Sequence, residues 1–428
     1  MLGTDLAEYA AALRRFSRNA RLYIVHVIGM DMIHGTWDVL FNLYLLTVGF
    51  GIDFIGLRLL VAGICGAAAS IPAGFVSDRI GRKWSFIIGD GVGAALGIIS
   101  ILSTNEGVLV ATAALGSFAG ALHYVSEPAF MAENSEPLER VHLFSVATGL
   151  RTASAMIGSL VAGFVPVLAA GLADKVTLYR VATLIGLAVW GISLVPALLL
   201  RGADRPSEAR GRGIAGLLSA IHHPDRVAKL VAVAAFTSLG YAFVGPLFNV
   251  FYQEGLHAHT HEIGLTFASG EFFVAGASLL APLLAARLTK VQAIVSTRLL
   301  GVPFILVIGL SPSLATVQNV LTLAGLAYVL RIMLANAAAP IAEAFAMELL
   351  DPGERATMVG IRSTAGQILA GVGGFLGSRL MSSGDFVTPF YAMAGLYAAG
   401  AVLFWLWFRP LERAGIRAEP ALVAEPAK

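Results

Sequence analysis

Long apolar stretches recur along this chain from about residue 22 to about residue 409, and short polar connections separate them. A helix of about 20 residues crosses a hydrocarbon core of about 30 Å at 1.5 Å per residue. We therefore predict an all-α integral membrane protein. Its twelve transmembrane helices are predicted at 22–47, 53–75, 84–103, 107–131, 143–172, 177–200, 227–252, 262–286, 290–310, 315–347, 357–381 and 387–409.

The chain divides into two similar halves. The longest polar stretch separates predicted spans 6 and 7, so we predict six-helix bundles at 1–200 and 227–409, a linker at 201–226 and a tail at 410–428. Short sequences recur between the halves in the same order: FNLY and FNVF, AFMAENSEPLER and AFAMELLDPGER, GLRTASAMIGSLVAGF and GIRSTAGQILAGVGGF. A duplicated unit predicts a pseudo-two-fold axis along the membrane normal, with a site between the halves.

Composition and charge support the membrane class. The chain is 57% hydrophobic and 13% charged, whereas soluble domains carry about 25% charged residues. Lys and Arg concentrate in the loops assigned to one side, and those assigned to the other side hold Arg58, Lys175, Arg180 and Arg379. The positive-inside rule therefore predicts a cytoplasmic-membrane protein with both termini in the cytoplasm. The single cysteine, Cys65, excludes an intramolecular disulfide and a cysteine-based zinc site.

The loop between spans 2 and 3 reads GFVSDRIGRK, which is G-x-x-x-D-R-x-G-R-K. With the twelve spans and the duplication, it resembles the signature loop of the major facilitator superfamily of transporters. The resemblance implies a cytoplasmic gating loop in which Asp78 stabilises the outward-facing state. Glycine permits a tight turn and close helix approach. The predicted gating residues are Gly74, Asp78, Arg79, Gly81, Arg82 and Lys83.

The sequence departs from that family's drug exporters at three places. The second half has Ala286 where the first has Asp78, and early span 4 lacks the arginine that many exporters carry. Span 5 has Ser159 where drug exporters have proline. The signature nevertheless remains most similar to that of the proton-coupled drug and solute exporters.

Polar groups inside the predicted spans map a candidate pathway. A charged side chain at mid-membrane costs roughly 2.5–3.5 kcal/mol on insertion scales, so such groups face a cavity or a partner. The candidates for the substrate cavity and for proton coupling are Asp31, His34, Asp38, Asn42, Asp90, Glu127, Arg151, Glu271, Arg298, Arg331, Glu343 and Arg362.

Span 1 carries the densest set of these groups. At about 100° per residue, Asp31, His34, Asp38 and Asn42 fall within an arc of about 80° and form one polar stripe. Three interpretations stay open at this stage. The carboxylates couple transport to protons, or they bind a cationic substrate or a divalent metal through Asp31, His34 and Asp38. Alternatively, they form buried ion pairs with the arginines of other spans.

These observations predict a secondary active transporter that works by alternating access, and not an enzyme. The favoured function is proton-coupled export of a small organic solute. The alternatives are uptake by proton symport, export of a divalent metal, or, from another class, a lipid flippase or a sensor. The chain lacks the Lys-Ser/Thr of a phosphate-binding loop, so no cofactor is expected. The expected partners are a small-molecule substrate, protons and membrane lipids, with no nucleic acid, and the protein is expected to be a monomer.

Overall fold

The computed structural model describes residues 15–201, 221–278, 281–314 and 319–415. These residues fold almost entirely into helices, so the all-α prediction is confirmed. We number the long helices α1 to α12 in chain order. They are Arg18–Thr47, Ile52–Ile80, Arg82–Leu102, Glu106–Glu133, Pro137–Leu168, Lys175–Leu198, Pro224–Ala242, Thr260–Ser278, Lys290–Leu310, Val320–Ala337, Pro352–Ser382 and Thr388–Arg413.

Helices differ in how readily they would enter a membrane. By length and composition, nine helical spans among the described residues are apolar enough to cross one. The three long helices outside that set are α1, α8 and α11. These helices carry Asp31 and Asp38, Glu271, and Arg362 respectively. Each of these three helices thus carries at least one of the polar groups that the sequence assigns to the pathway.

Two predicted spans are interrupted. After α7, span 7 continues as a 3₁₀ turn at Gly245–Leu247, one α turn at Phe248–Val250 and a π turn at Phe251–Gly255. Span 10 continues after α10 as the helix Ala339–Leu349. Both breaks occur beside a proline, Pro246 or Pro340, which has no backbone N–H to donate. Each interrupted segment is still long and apolar enough to count as one membrane span, at Pro224–Gly255 and Val320–Leu349, in agreement with predicted spans 7 and 10.

The halves α1–α6 and α7–α12 join along two helix pairs, α2 with α11 and α5 with α8. Glycines bring the backbones together in both pairs. A Cβ on Gly63 would lie 2.5 Å from the carbonyl oxygen of Gln367, and one on Gly264 would lie 2.7 Å from the Cα of Gly163. Backbones at this distance pack as small-residue membrane interfaces do. The pseudo-symmetric two-bundle fold is confirmed.

The two ends of the bundle need names. We call the end that carries residues 74–83 the motif face, and the end that carries residues 48–51 and 256–259 the far face. Buried aromatic side chains of both halves, Phe41, Tyr44, Phe248, Phe251 and Phe390, form one hydrophobic core toward the far face. Most of the predicted linker and tail lies at 202–220 and 416–428, outside the described residues, so the domain boundaries stay a prediction.

Candidate transport pathway

A cavity of about 1840 Å³ lies between the two halves. It reaches Arg355 and Thr357, near the motif-face end of α11, whereas the hydrogen bonds and glycine contacts between the halves extend from the far face to the middle of the bundle. The cavity is therefore open to the motif face and closed at the far face. Its aromatic lining consists of Trp37, Phe41, Tyr124, Trp190, Tyr241, Phe267 and Tyr328.

The polar stripe of α1 divides into two parts. His34, Asp38 and Asn42 line the cavity, whereas Asp31 is only 5% exposed and does not. Glu271 of α8 lines the same cavity from the second half. Within the described ranges, neither Asp38 nor Glu271 has an ion-pair partner. Two unpaired carboxylates, one from each half, thus face the cavity.

Asp31 belongs to a compact charged group behind the cavity wall. Arg151 of α5 lies with its Nε atom 3.2 Å from Asp31 Oδ2, and a second guanidinium nitrogen donates a hydrogen bond to Glu127 of α4. His34 lies 3.4 Å from Asp31 Oδ1 and is hydrogen-bonded to Tyr124. Two carboxylates share one arginine, so the group has an excess negative charge that one proton would neutralise.

Asp90 lies away from the cavity, in a second buried cluster. Its Oδ2 atom is 2.8 Å from Nε2 of His26 and 2.9 Å from Nδ1 of His123. The other nitrogen of His26 lies 2.8 Å from the carbonyl oxygen of Ser193. The hydroxyl of Ser193 lies 3.1 Å from the same nitrogen of His26, so the cluster consists of one carboxylate, two imidazoles and one hydroxyl. The sequence-based placement of Asp90 on the pathway is not what the structure shows.

The second half repeats one ion pair of the first. Arg362 and Glu343 lie 2.9 Å apart between α11 and the helix that continues α10. Arg362 corresponds to Arg151 in the duplicated sequence, and each pairs with a glutamate of the preceding span. The exposed fraction of the acid differs, at 9% for the Glu127 side chain and 54% for that of Glu343.

Two other arginines of the second half lack a carboxylate partner within the described part of the chain. Arg331 is 3% exposed; it donates a hydrogen bond to Tyr397 and lies over the rings of Tyr241 and Phe248. Arg298 lies over the ring of Phe404, and its Nη1 atom is buried without a hydrogen-bond partner. Neither lines the central cavity.

The far face is closed by a reciprocal pair of amides. Asn42 donates hydrogen bonds to the carbonyl oxygen of Pro246 at 2.8 Å and to the side chain of Asn249 at 3.1 Å. Asn249 donates to the carbonyl oxygen of Val39 at 3.1 Å. Each amide thus binds the carbonyl three residues before the other, in the FNLY and FNVF repeats. We call this pair the asparagine clasp.

The motif loop makes its contacts within the first half. Arg82 lies 2.9 Å from Asp78 and 3.5 Å from Glu133 of α4. Gly81 adopts a positive φ of 83°, as the predicted tight turn requires. A Cβ on Gly74 would meet only ordinary contacts, the nearest being Val125 at 3.7 Å, so the expected close helix approach there is absent. Arg79 is exposed, and Lys83 lies over the ring of Trp84.

Two expectations about individual residues change. Among the described residues, the ligand atoms of Asp31, His34 and Asp38 are not a cluster converging within 4.8 Å, so the proposed metal set has no geometric support. Arg58 was counted from sequence among the charges of the outer side, although predicted span 2 contains it. It lies within α2, 8% exposed, with its guanidinium over the ring of Phe41. The apolar residues around Arg58 were a signal that it is part of the helix.

Sequence reasoning did not select His26 or Asn249. His26 lies about 120° around α1 from the middle of the polar stripe, at about 100° per residue, so it is not part of that stripe. For Asn249 a signal existed, because it corresponds to Asn42 in the repeat FNLY and FNVF.

Two packed helical halves, with a cavity that is open at one face and closed at the other, define an alternating-access membrane transporter. The family model described as Major Facilitator Superfamily matches residues 22–329 and 230–427. The chain therefore belongs to the major facilitator superfamily, whose members are transporters and not enzymes.

Solved structures share this fold at low sequence identity. The nucleoside transporter NupG has a TM-score of 0.73 and 14% identity, over 92% of this chain and 99% of that one. A variant of NupG gives the same TM-score at 16% identity, over 92% of this chain and 100% of that one. A D-xylose-proton symporter has a TM-score of 0.70 and 14% identity, over 90% of this chain and 97% of that one. No curated protein matches the sequence.

Proposed function

We propose that this transporter exports a small organic cation in exchange for protons. The observation that carries the proposal is the pair of unpaired carboxylates, Asp38 on α1 and Glu271 on α8, that face the cavity from opposite halves. A protonated carboxyl group is uncharged, so it attracts a cation much less strongly than the carboxylate does. Competition of proton and substrate for the same acids is the thermodynamic basis of exchange, because binding of one ligand releases the other.

The lining of the cavity indicates the kind of cation. Aromatic side chains such as Trp37, Trp190 and Tyr328 line it beside the two acids. Aromatic faces attract cations and offer apolar contact area. This combination suits an organic cation with an apolar or planar body. A cavity of about 1840 Å³ exceeds the roughly 300–1,000 Å³ of most ligand sites, so it accommodates drug-sized molecules.

We propose that the motif face is cytoplasmic, as the concentration of Lys and Arg in its loops favours. The structure then corresponds to an inward-open state. In this state the asparagine clasp and the glycine contacts close the outer side, while Asp38 and Glu271 are accessible from the cytoplasm. A cysteine introduced at exposed Arg79 in a Cys65→Ser background would test the orientation. We expect it to react with an impermeant maleimide only in inverted vesicles.

A second candidate function is proton symport of a neutral solute. The observation that favours it is the charged group of Asp31, Arg151 and Glu127, which lies behind the cavity wall and has an excess negative charge. A proton taken up there would not compete with a substrate in the cavity. The nucleoside transporter and the D-xylose-proton symporter of similar fold make nucleosides and pentoses reasonable test substrates for this mode.

The direction of proton movement separates the two functions. Purified protein in liposomes that contain a pH-sensitive dye would be tested with organic cations, nucleosides and pentoses. A substrate added outside acidifies the lumen in symport and makes it more alkaline in antiport. We expect organic cations to make it more alkaline.

Variants then show which carboxylates couple transport to protons. We expect Asp38→Asn and Glu271→Gln to abolish proton-coupled transport, while the exposed control Asp53→Asn transports like the wild type. Proton exchange at the wild-type rate and with unchanged pH dependence in both cavity variants would exclude our proposal. Loss only in Asp31→Asn, with acidification by a neutral solute, would establish the symport alternative.

A further inference from the structure

The second half contains a polar pocket that neither the cavity nor the proposed exchange uses. It has a volume of about 470 Å³ and lies between α7, α9 and α11. Two arginines, Arg298 and Arg362, line it together with the hydroxyls of Thr237, Ser238 and Ser363, and no carboxylate lines it. Guanidinium and hydroxyl groups are donors that recognise oxyanions.

Arg298 is the strongest element of this pocket. It lies eight residues from the motif-face end of α9, which is about 12 Å along the helix. Its Nη1 atom is buried and has no hydrogen-bond partner, and within the described residues it forms no ion pair. Arg298 as a whole is half-buried, but a guanidinium nitrogen buried without a counter-ion is unfavourable in a membrane, and an anion beside it removes that cost.

The duplication explains why the pocket lacks an acid. Arg362 corresponds to Arg151, which in the first half binds both Asp31 and a glutamate. The repeat relates residue 41 to residue 248, and at the same spacing residue 31 corresponds to Ser238. The second half thus keeps the arginine and its glutamate pair but has a serine where the first half has the second carboxylate.

A second exchange of charge reinforces the first. Arg298 occupies the position that corresponds to Asp90, at the spacing that relates residue 55 to residue 263. Two arginines therefore line one pocket. The carboxylate that lies beside the arginine in the first half, Asp31, has no acidic counterpart in the second half. Glu343 pairs with Arg362 but does not line the pocket. A carboxylate from outside the chain would take the place that Asp31 has beside Arg151.

We propose that this pocket binds a small oxyanion, a carboxylate or a phosphate, between Arg298 and Arg362. The anion has two sources, a free ion of the cytoplasm or an acidic group of a molecule in the central cavity. The second source is sterically open because Val359 and Ser363 line both the pocket and the cavity. Binding here does not require that Asp38 exchanges protons, so the two proposals fail separately.

The test measures binding to the full-length protein in lipid nanodiscs. Sodium acetate and sodium phosphate are titrated at constant ionic strength, with acetamide as the uncharged counterpart of acetate. We expect acetate or phosphate, but not acetamide, to raise the melting temperature saturably, because a ligand of the native state stabilises it. Absence of a saturable effect from both anions would overturn the proposal.

Three variants make the test specific. Arg298→Gln should weaken anion binding at least about tenfold, since a charge-assisted hydrogen bond is lost, while the anion-free protein melts at the same or a higher temperature. Ser238→Asp should supply the carboxylate within the chain, raise the melting temperature of the anion-free protein and abolish its response to acetate. The matched control is Arg379→Gln, an exposed arginine of α11, which should bind like the wild type.

The binding results test whether the pocket binds an anion and show where that anion comes from. Wild-type affinity in Arg298→Gln, or an undiminished acetate response in Ser238→Asp, would refute the proposal. If Arg298→Gln does not fold, anion binding is measured in Thr237→Val and Ser238→Asp instead, and we expect it to be weakened in both. Phosphate binding that transported substrates do not displace identifies a free ion, whereas displacement only by carboxylate-bearing substrates identifies the substrate itself.

Discussion

The asparagine clasp permits a quantitative prediction about closure of the far face. Three hydrogen bonds join the halves there: two donated by Asn42, to the Pro246 carbonyl and to Asn249, and one donated by Asn249 to the Val39 carbonyl. Asn42→Ala removes two of these bonds, and Asn249→Ala also removes two. The double variant removes three and not four, because one bond is common to both residues.

This count fixes the expected energies. A hydrogen bond contributes about 1 kcal/mol net, so each single variant should weaken the closed far face by about 2 kcal/mol and the double variant by about 3 kcal/mol. The two substitutions should therefore be less than additive by about 1 kcal/mol, which a double-mutant cycle detects. A change of 2 kcal/mol alters the ratio of closed to open molecules about 30-fold.

Spin labels at the far face measure this ratio. Labels on cysteines at Thr47 and Glu254, in a Cys65→Ser background, report the distance between the far-face ends of the two halves. We expect a longer distance to gain population in the single variants and more in the double variant. The matched control is Asn336→Ala, whose amide donates to the Ile332 carbonyl within α10 and does not join the halves. Strictly additive effects, or an equal change in the control, would refute the reasoning.

Three further predictions follow from charged groups. Arg151→Gln leaves two buried carboxylates without a cation, so it should destabilise the protein by about 3–5 kcal/mol, and adding Glu127→Gln should recover part of the lost melting temperature. Asp90→Asn removes the carboxylate that lies 2.8 Å from His26 and 2.9 Å from His123, so it should lower the melting temperature; an unchanged melting temperature would contradict a stabilising role for this cluster. Hydrogen bonds from Thr177 hold the pKa of Asp174 below its ordinary value, so this α6 cap stabilises above that value and is lost as the pH falls through the folded pKa. Asp174→Asn should melt below the wild type at pH 7, with the difference vanishing in strong acid.

Helical phase predicted which groups of α1 face the cavity, but not which groups have partners. His34, Asp38 and Asn42 line the cavity because residues three or four apart share a helix face. Asp31 shares that face in phase, yet it is buried against Arg151. The difference depends on how closely α5 packs on α1 and on the length of the Arg151 side chain. Neither can be predicted from the residue spacing along α1 alone.

The repeats were more informative than any single motif, since they relate positions that only the fold brings together. Asn42 and Asn249 are 207 residues apart in sequence and 3.1 Å apart in the structure. Their equivalence in FNLY and FNVF was readable, but their contact required that both lie near the pseudo-two-fold axis. Arg58 was assigned to the outer side because of its charge, although the apolar residues around it in predicted span 2 indicated a helix.

Divergence of the two halves after duplication separates their chemistry. The first half keeps carboxylates in excess: Arg151 is shared by two acids, and Asp38 faces the cavity unpaired. The second half keeps arginines in excess, with Arg298 and Arg331 lacking a carboxylate in the described part of the chain. Glu271 of the second half also faces the cavity, so a cation bound by Asp38 and Glu271 would join the two halves, whereas an oxyanion bound by Arg298 and Arg362 would lie within the second half. Because alternating access moves the halves against each other around the site between them, we expect a ligand held by both halves to affect that movement directly, and a ligand held within one half to affect it less.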